Sequence, residues 1–223
     1  MELPANVTRE LDELARRFGA PLSIVATIDD SFKDPIWKRD RHGEVCMVVR
    51  RPTGRILLSI KTFYPRGAYR LPTGGIHHGE GVYDALVRET HEETGLSTAV
   101  RSFLARISYA PLSSPGAPPV FHTFAFLLDE LGGTLGTLDT SERIEEWREI
   151  ETDELAHVAD TLDHLTTQGT EDIGGDWRAW GKFRAVVHRA VADAFESQEA
   201  QSSRKSRYAR MKDTTAHTSK PTI

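Results

Sequence analysis

The spacing of apolar residues differs along the chain and separates predicted helices from predicted strands. Helical spacing predicts helices over about Thr8–Phe18, from Thr152 onward, and over about Trp177–Glu196. Short apolar, β-prone runs predict strands at 22–28, 44–51, 55–61, 99–110, 120–130 and 143–150. The two kinds of element do not alternate regularly. The pattern therefore predicts a mixed α/β fold with several hairpins rather than a repeated βαβ arrangement.

A further helix is predicted over Val82–Thr94, where Gly95 can end it in the left-handed conformation. At about 100° per residue, three carboxylates share one side of this helix, those of Glu89, Glu92 and Glu93. A separate face is predicted to pack on a sheet and comprises Tyr83, Leu86, Val87, Thr90 and Thr94. Asp84, Arg88 and His91 lie on the remaining side of the helix.

The three clustered carboxylates repel one another and lie near the helix C-terminus, where the helix dipole favours cations. A solvated acidic surface is one interpretation of this pattern. The other is a site for a hard divalent cation such as Mg²⁺, which binds clustered oxygen ligands. The paired glycines Gly74 and Gly75 before the helix, together with Glu80 and Arg88, favour the metal site.

Composition and charge are those of a soluble protein with an acidic body. The chain has 223 residues, 39% of them hydrophobic, and a formal net charge of -5. Residues 197–223 carry +4, which leaves -9 for residues 1–196 and argues against a nucleic-acid partner. No apolar run is long enough for a membrane span, and the start is not a signal peptide. With Cys46 as the single cysteine, these features predict a cytoplasmic protein.

Eight residues between Gly74 and Leu96 have the spacing of the Nudix box, G-x5-E-x7-R-E-U-x-E-E-x-G-U, in which U is bulky and apolar. They are Gly74, Glu80, Arg88, Glu89, Glu92, Glu93, Gly95 and Leu96. Thr90 departs from the pattern, because an aliphatic residue is usual there, but it lies in the predicted packing face. The chain thus resembles the Nudix hydrolase family strongly over the box and loosely over about residues 40–165.

The resemblance implies an α/β/α sandwich around a mixed β-sheet and hydrolysis of a nucleoside diphosphate linked to another moiety, such as an ADP-ribose-like compound or a nucleotide sugar. It implies Mg²⁺ or Mn²⁺ bound by Glu89, Glu92 and Glu93, with a backbone carbonyl of Gly74 or Gly75. Arg88 and Glu80 would pair and position these carboxylates. The predicted catalytic residues are Glu92, Glu93, Arg88 and, from outside the box, Glu142, with Glu145 or Glu146 as alternatives. Arg70, Gly75 and His77 are candidates for substrate binding.

The chain is predicted to divide into four segments. Residues 1–39 form an N-terminal helix and strand extension, 40–170 the Nudix hydrolase domain, 171–196 a C-terminal helix, and 197–223 a disordered basic tail. The C-terminal helix has an apolar stripe that suits packing on its own domain or a homodimer interface.

Two other functions of this fold agree less well with the sequence than the hydrolase does. A ligand-sensing regulator with the same fold tends to lose box carboxylates, and here all are present. An isomerase of isoprenoid diphosphates depends on a catalytic cysteine, and Cys46 lies in a predicted strand before the box. Pro111, fifteen residues after Leu96, faintly resembles the ADP-ribose pyrophosphatases of the family, but the loop after it lacks their usual acidic residue. The substrate therefore stays open among small nucleoside diphosphate derivatives.

Overall fold

One mixed β-sheet of seven strands forms the centre of the protein. The computed structural model describes residues 3–29, 41–114, 116–167 and 175–216. The strands are β1 (Leu22–Ile28), β2 (Arg41–Arg50), β3 (Ile56–Lys61), β4 (Thr73–His77), β5 (Leu96–Pro111), β6 (Phe121–Gly133) and β7 (Ile144–Ile150). The helices are α1 (Ala5–Phe18), α2 (Val82–Thr94), α3 (Leu155–Asp163) and α4 (Trp177–Ala216). Two 3₁₀ turns, Thr140–Glu142 and Thr152–Glu154, precede β7 and α3.

The strand order is β1-β5-β6-β2-β3-β7, and β4 pairs with β2 beside this path. The pairs β1–β5 and β2–β6 are parallel, and the other pairs are antiparallel. Leu22 lies opposite Ala105, and the pairing continues to Ile28 opposite Pro111. The N-terminal extension therefore contributes a strand to the same sheet.

Both faces of the sheet are buried by helices. Successive side chains along a strand point to opposite faces. In β2, Val45, Met47 and Val49 pack in one cluster with α1 and α2, whereas Cys46 and Val48 pack in the other with α3 and α4. Apolar residues at consecutive positions of the central strands thus bury both faces. The predicted α/β/α sandwich around a mixed sheet is confirmed.

Two predicted helix boundaries were wrong. Helix α1 begins at Ala5, and the Thr8 hydroxyl donates to the carbonyl of Pro4 inside the first turn rather than capping the helix. Helix α4 continues to Ala216, so residues 197–216 are helical and not a disordered tail. Ala, Arg, Gln and Lys are frequent there and favour helix without an apolar stripe. The predicted tail after Ala216 lies outside the described residues.

Strand β4 was not predicted, because its two adjacent glycines, Gly74 and Gly75, weaken any strand pattern. It pairs with β2 from Arg41 opposite His77 to Cys46 opposite Thr73. None of the helices within the described ranges is long and apolar enough to cross a bilayer.

Helices α3 and α4 approach so closely at Gly181 that an added Cβ would overlap the backbone carbonyl oxygen of Leu162. Gly181→Ala should therefore lower the free energy of unfolding by about 1–3 kcal/mol, because a backbone carbonyl cannot move aside without shifting α3. Urea unfolding followed by circular dichroism measures this change.

Gly136→Ala is the matched control for Gly181→Ala, since a Cβ at Gly136 meets no atom within 4 Å. It should leave the unfolding midpoint almost unchanged. Wild-type stability of Gly181→Ala would show that the two helices are not packed this tightly.

Candidate active site

The predicted site residues meet in one cleft of about 440 Å³. It lies between β4, α2, the 3₁₀ turn before β7, and α4. Among its lining residues are all but one of the predicted site residues, namely Arg70, Gly74, Gly75, His77, Arg88, Glu89, Glu92, Glu93 and Glu142. The exception is Glu80, which contacts the cleft through Arg88.

Arg88 connects β4 and the loop before α2 to the carboxylates of α2. Its Nε and Nη2 donate to the two carboxylate oxygens of Glu80 at 2.7 and 2.9 Å. Its Nη1 donates to Glu89 at 2.9 Å and to Glu92 at 3.0 Å, and its Nη2 also donates to the carbonyl of Gly75 at 3.1 Å. The guanidinium lowers the pKa of Glu80. The pairing of Arg88 with Glu80 is therefore present, and the same guanidinium also joins Glu89 to Glu92.

The three clustered carboxylates of α2 differ sharply in exposure. The side chain of Glu92 is 47% exposed, whereas that of Glu89 is 13% exposed. Glu93 is buried at 2% exposure, and its Oε2 has no hydrogen-bond partner. Burial raises the pKa of Glu89, and it raises the pKa of Glu93 to about 8. A buried acceptor with no partner is unfavourable unless a cation or proton satisfies it.

The predicted packing face of α2 needs one correction. Thr90 is buried as predicted, and its hydroxyl donates to the carbonyl of Leu86, but Val87 is 50% exposed. The buried side of α2 includes Ala85 and Glu93 instead, because α1 and the sheet cover the helix on that side. The carboxylates thus straddle the boundary between core and solvent instead of forming one uniformly exposed ridge.

Glycine at position 74 lets the Glu89 side chain lie directly over the backbone of β4. A Cβ on Gly74 would overlap Cβ, Cγ and Cδ of Glu89. Across the described ranges, no three acidic, histidine or cysteine side chains are arranged as ligands of one ion. Arg88 instead holds Glu89 and Glu92. The donor set of carboxylate and carbonyl oxygens, with the unpartnered Oε2 of Glu93, nevertheless fits a hard divalent cation.

The opposite wall of the cleft is built on the Thr140–Glu142 turn. Glu142 pairs with Lys61 at the end of β3. The next residue, Arg143, has a left-handed backbone with φ of 52°, and its carbonyl accepts from the amide of Thr62 at 2.9 Å. The alternatives Glu145 and Glu146 line a different, neighbouring pocket. Of the three carboxylates proposed from outside the box, Glu142 therefore faces the cleft.

Helix α4 contributes residues that the sequence interpretation missed. Trp180 and Arg184 line the cleft, and Arg184 Nη1 donates to the buried carboxylate of Glu44 at 2.7 Å. Glu44 also accepts from the Thr123 hydroxyl at 3.0 Å. The sequence signal that could have identified Arg184 was its position, as a charged residue directly after Phe183 on the apolar stripe of α4.

His188 of α4 anchors the segment that leads into β4. Its Nε2 accepts from the amide of Leu71 at 2.9 Å, and its Nδ1 lies 2.7 Å from the carbonyl of Arg184. Burial lowers the pKa of His188 to about 3, so the ring is neutral. These partners assign the proton to Nδ1, which donates to Arg184.

Several other sequence candidates have structural partners. Arg70 is buried and donates to Tyr64, to the Leu71 carbonyl and to Thr73. Three other residues outside the box lie in different places: Phe121 and His122 are buried, and Tyr69 lines the neighbouring pocket. Cys46 is fully buried in β2, where burial raises the pKa of its thiol. A catalytic cysteine, and with it the isomerase interpretation, is disfavoured.

The NUDIX domain family model matches residues 40–168, which is more than half of the chain. The chain belongs to this family. An ADP-ribose pyrophosphatase of Methanocaldococcus jannaschii is 34% identical to this Nudix chain over 100 residues, which are 44% of the chain and 56% of that relative. Nudix hydrolase 2 of Arabidopsis thaliana is 38% identical over 64 residues, or 29% of the chain and 20% of that protein.

The chain thus matches 56% or less of the length of these curated relatives. Among solved structures, a C. elegans Ap4A hydrolase in a binary complex is similar at 19% identity with a TM-score of 0.40. That match covers 63% of the Nudix chain and 96% of the hydrolase.

Glu10 of α1 caps the N-terminus of the Nudix-box helix. Its two carboxylate oxygens accept from the amides of Val82 at 2.9 Å and Tyr83 at 3.0 Å. Glu10→Ala should lower the free energy of unfolding by about 0.5–2 kcal/mol, because these amides lose a charged acceptor at the positive end of the helix dipole. Thermal unfolding measures the effect.

Glu13→Ala provides the comparison for Glu10→Ala, since Glu13 is an exposed acid of α1 that lies 3.9 Å from Arg16. It should change stability much less. Equal effects of the two substitutions would show that the capping bonds do not stabilise α2.

Proposed function

We propose that this protein is a metal-dependent hydrolase that cleaves the diphosphate linkage between a nucleoside and another moiety. The observation that carries the proposal is the buried, unpartnered Oε2 of Glu93 beside Glu89 and Glu92 in a complete set of Nudix-box carboxylates. The names of the matched relatives, an ADP-ribose pyrophosphatase and an RNA pyrophosphohydrolase of Erythrobacter litoralis, support the same reaction class.

Glu89, Glu92 and Glu93, with the Gly74 carbonyl, would hold Mg²⁺ or Mn²⁺. When bound, such an ion neutralises phosphate charge and lowers the pKa of a coordinated water. Glu93 supplies the buried anionic oxygen and Glu89 the oxygen that lies over β4. Arg88 would hold Glu80 and the Gly75 carbonyl next to the helix and so position the carboxylates.

The side chains across the cleft would complete the reaction. Glu142 would accept the proton of the attacking water, and Lys61 beside it would hold the carboxylate in place. Arg41 and Arg143 also line the cleft and would attract the negatively charged diphosphate. The proposed substrate contacts are Arg70, just before β4, and Gly75 and His77 within β4; the Arg70 side chain is buried.

ADP-ribose is the first substrate to test, because one relative carries that activity in its name. Phosphate-containing products should be measured with ADP-ribose, nucleotide sugars, dinucleoside polyphosphates and oxidised nucleotides, with Mg²⁺, with Mn²⁺ and with EDTA. We expect cleavage of at least one compound that EDTA abolishes and Mg²⁺ or Mn²⁺ restores. Turnover that persists in EDTA would contradict the metal-dependent reaction. Ligand binding without any turnover would favour a ligand-sensing regulator.

A further inference from the structure

A second pocket of about 650 Å³ adjoins the carboxylate cleft, and none of the roles proposed above uses it. It lies between β3, the loop that leads from β3 to β4, and β7. Tyr64 lines both the pocket and the cleft, so the two cavities adjoin at this ring. The volume lies within the usual range for small-molecule sites.

One wall of this pocket is a flat platform. Tyr69 is 6% exposed, its hydroxyl donates to Glu146, and the guanidinium carbon of Arg148 lies 3.7 Å from the centre of its ring. Arg148 itself is exposed. A guanidinium is planar and stacks on aromatic rings, so its outer face suits a second flat ring such as a nucleobase.

The charged residues of this pocket balance, so it has no net attraction for a phosphate group. Glu145 and Glu146 both line it, together with Arg66 and Arg148. Carboxylates repel phosphate oxygens, but they accept hydrogen bonds from sugar hydroxyl and base amino groups. The pocket thus suits an uncharged ligand part with a flat aromatic ring and several hydroxyl groups.

We propose that this pocket binds the nucleoside part of the substrate, with the base on the Arg148–Tyr69 platform and the ribose hydroxyls at Glu145. The diphosphate then passes Tyr64 and enters the carboxylate cleft. This assignment rests on the proposed hydrolase function and adds to it the part of the substrate that is recognised outside the Nudix box.

The test compares substrates with and without a base. ADP-ribose and 5-phosphoribosyl 1-diphosphate would be assayed with wild type, Arg148→Ala, Arg148→Lys and Glu145→Gln. Arg101→Ala is the matched control, because Arg101 is an exposed arginine of β5 that lines neither pocket. We expect Arg148→Ala to lower kcat/KM for ADP-ribose about tenfold or more through KM, as loss of base stacking predicts. The kcat/KM for 5-phosphoribosyl 1-diphosphate, which has no base, should be unaffected.

Arg148→Lys separates stacking from charge, since it keeps the positive charge and loses the planar group. It should behave like Arg148→Ala. Full rescue by lysine, or equal losses on both substrates, would overturn the nucleoside assignment.

Binding of adenosine alone, followed by calorimetry, tests the pocket without hydrolysis. Binding by wild type that weakens in Arg148→Ala and in Glu145→Gln supports the proposal, and no binding by wild type overturns it. Failure of wild type to cleave any diphosphate would refute the hydrolase function, whereas the adenosine titration would still decide the ligand of this pocket.

Discussion

Replacing Glu93 with glutamine should lower kcat about 10²–10⁴-fold and leave the metal-free fold intact. Burial raises the pKa of Glu93 to about 8, so near neutral pH the metal-free protein carries mainly the uncharged carboxyl there. Glutamine has nearly the same shape and is also uncharged. The substitution therefore removes the anionic oxygen that the proposed cation would bind, without adding a buried charge. Steady-state kinetics with saturating Mg²⁺ and thermal unfolding in EDTA measure the two effects.

Asp84→Asn is the control for Glu93→Gln, because Asp84 is an exposed acid on the same helix that does not line the cleft. It should keep full activity. Near-wild-type turnover by Glu93→Gln would refute the role of Glu93. A large loss of metal-free stability in Glu93→Gln would show instead that the substitution damages the fold.

Binding of Mg²⁺ should weaken by up to about tenfold for each unit that the pH falls below about 8. The pKa of Glu93 is raised to about 8 and that of Glu89 is also raised, so both hold protons more tightly than free carboxyls do. The proposed ion would bind the ionised forms and would have to displace these protons, which are more abundant at lower pH. Above about pH 8 Glu93 is ionised, and the affinity should level off.

Calorimetric titrations in buffers with different heats of ionisation count the protons released on metal binding. We expect release by the wild type near neutral pH, and a smaller release by Glu93→Gln at the metal concentration needed to saturate it. An affinity that stays constant from about pH 6 to about pH 8.5 would contradict the assignment of Glu93 as a buried metal ligand.

Local spacing predicted the box helix, and the family resemblance predicted its charged partners. Gly95 ends α2 with φ of 67°, and the pairing of Arg88 with Glu80 follows from residues only eight positions apart. The burial of Glu93 could not be predicted in this way. A helical wheel places it beside Glu89, but its exposure depends on how α1 and the sheet cover the helix.

Residues distant in the sequence explain what the sequence interpretation missed. Arg184 reaches the cleft because α4 crosses the sheet, and its partner Glu44 is 140 residues away in the chain. Strand β4 is held by pairing with β2 although Gly74 and Gly75 give it little strand propensity. Only the assembled sheet brings these groups together.

The hydrogen bond from the Leu71 amide to His188 affects how the protein folds during its synthesis. The box is synthesised long before α4, yet the segment leading into β4 and one wall of the cleft rely on that helix. A nascent chain that lacks α4 exposes the apolar sheet face that Trp177 and Phe183 cover in the finished protein. The complete cleft should accordingly form late, after the ribosome has released α4.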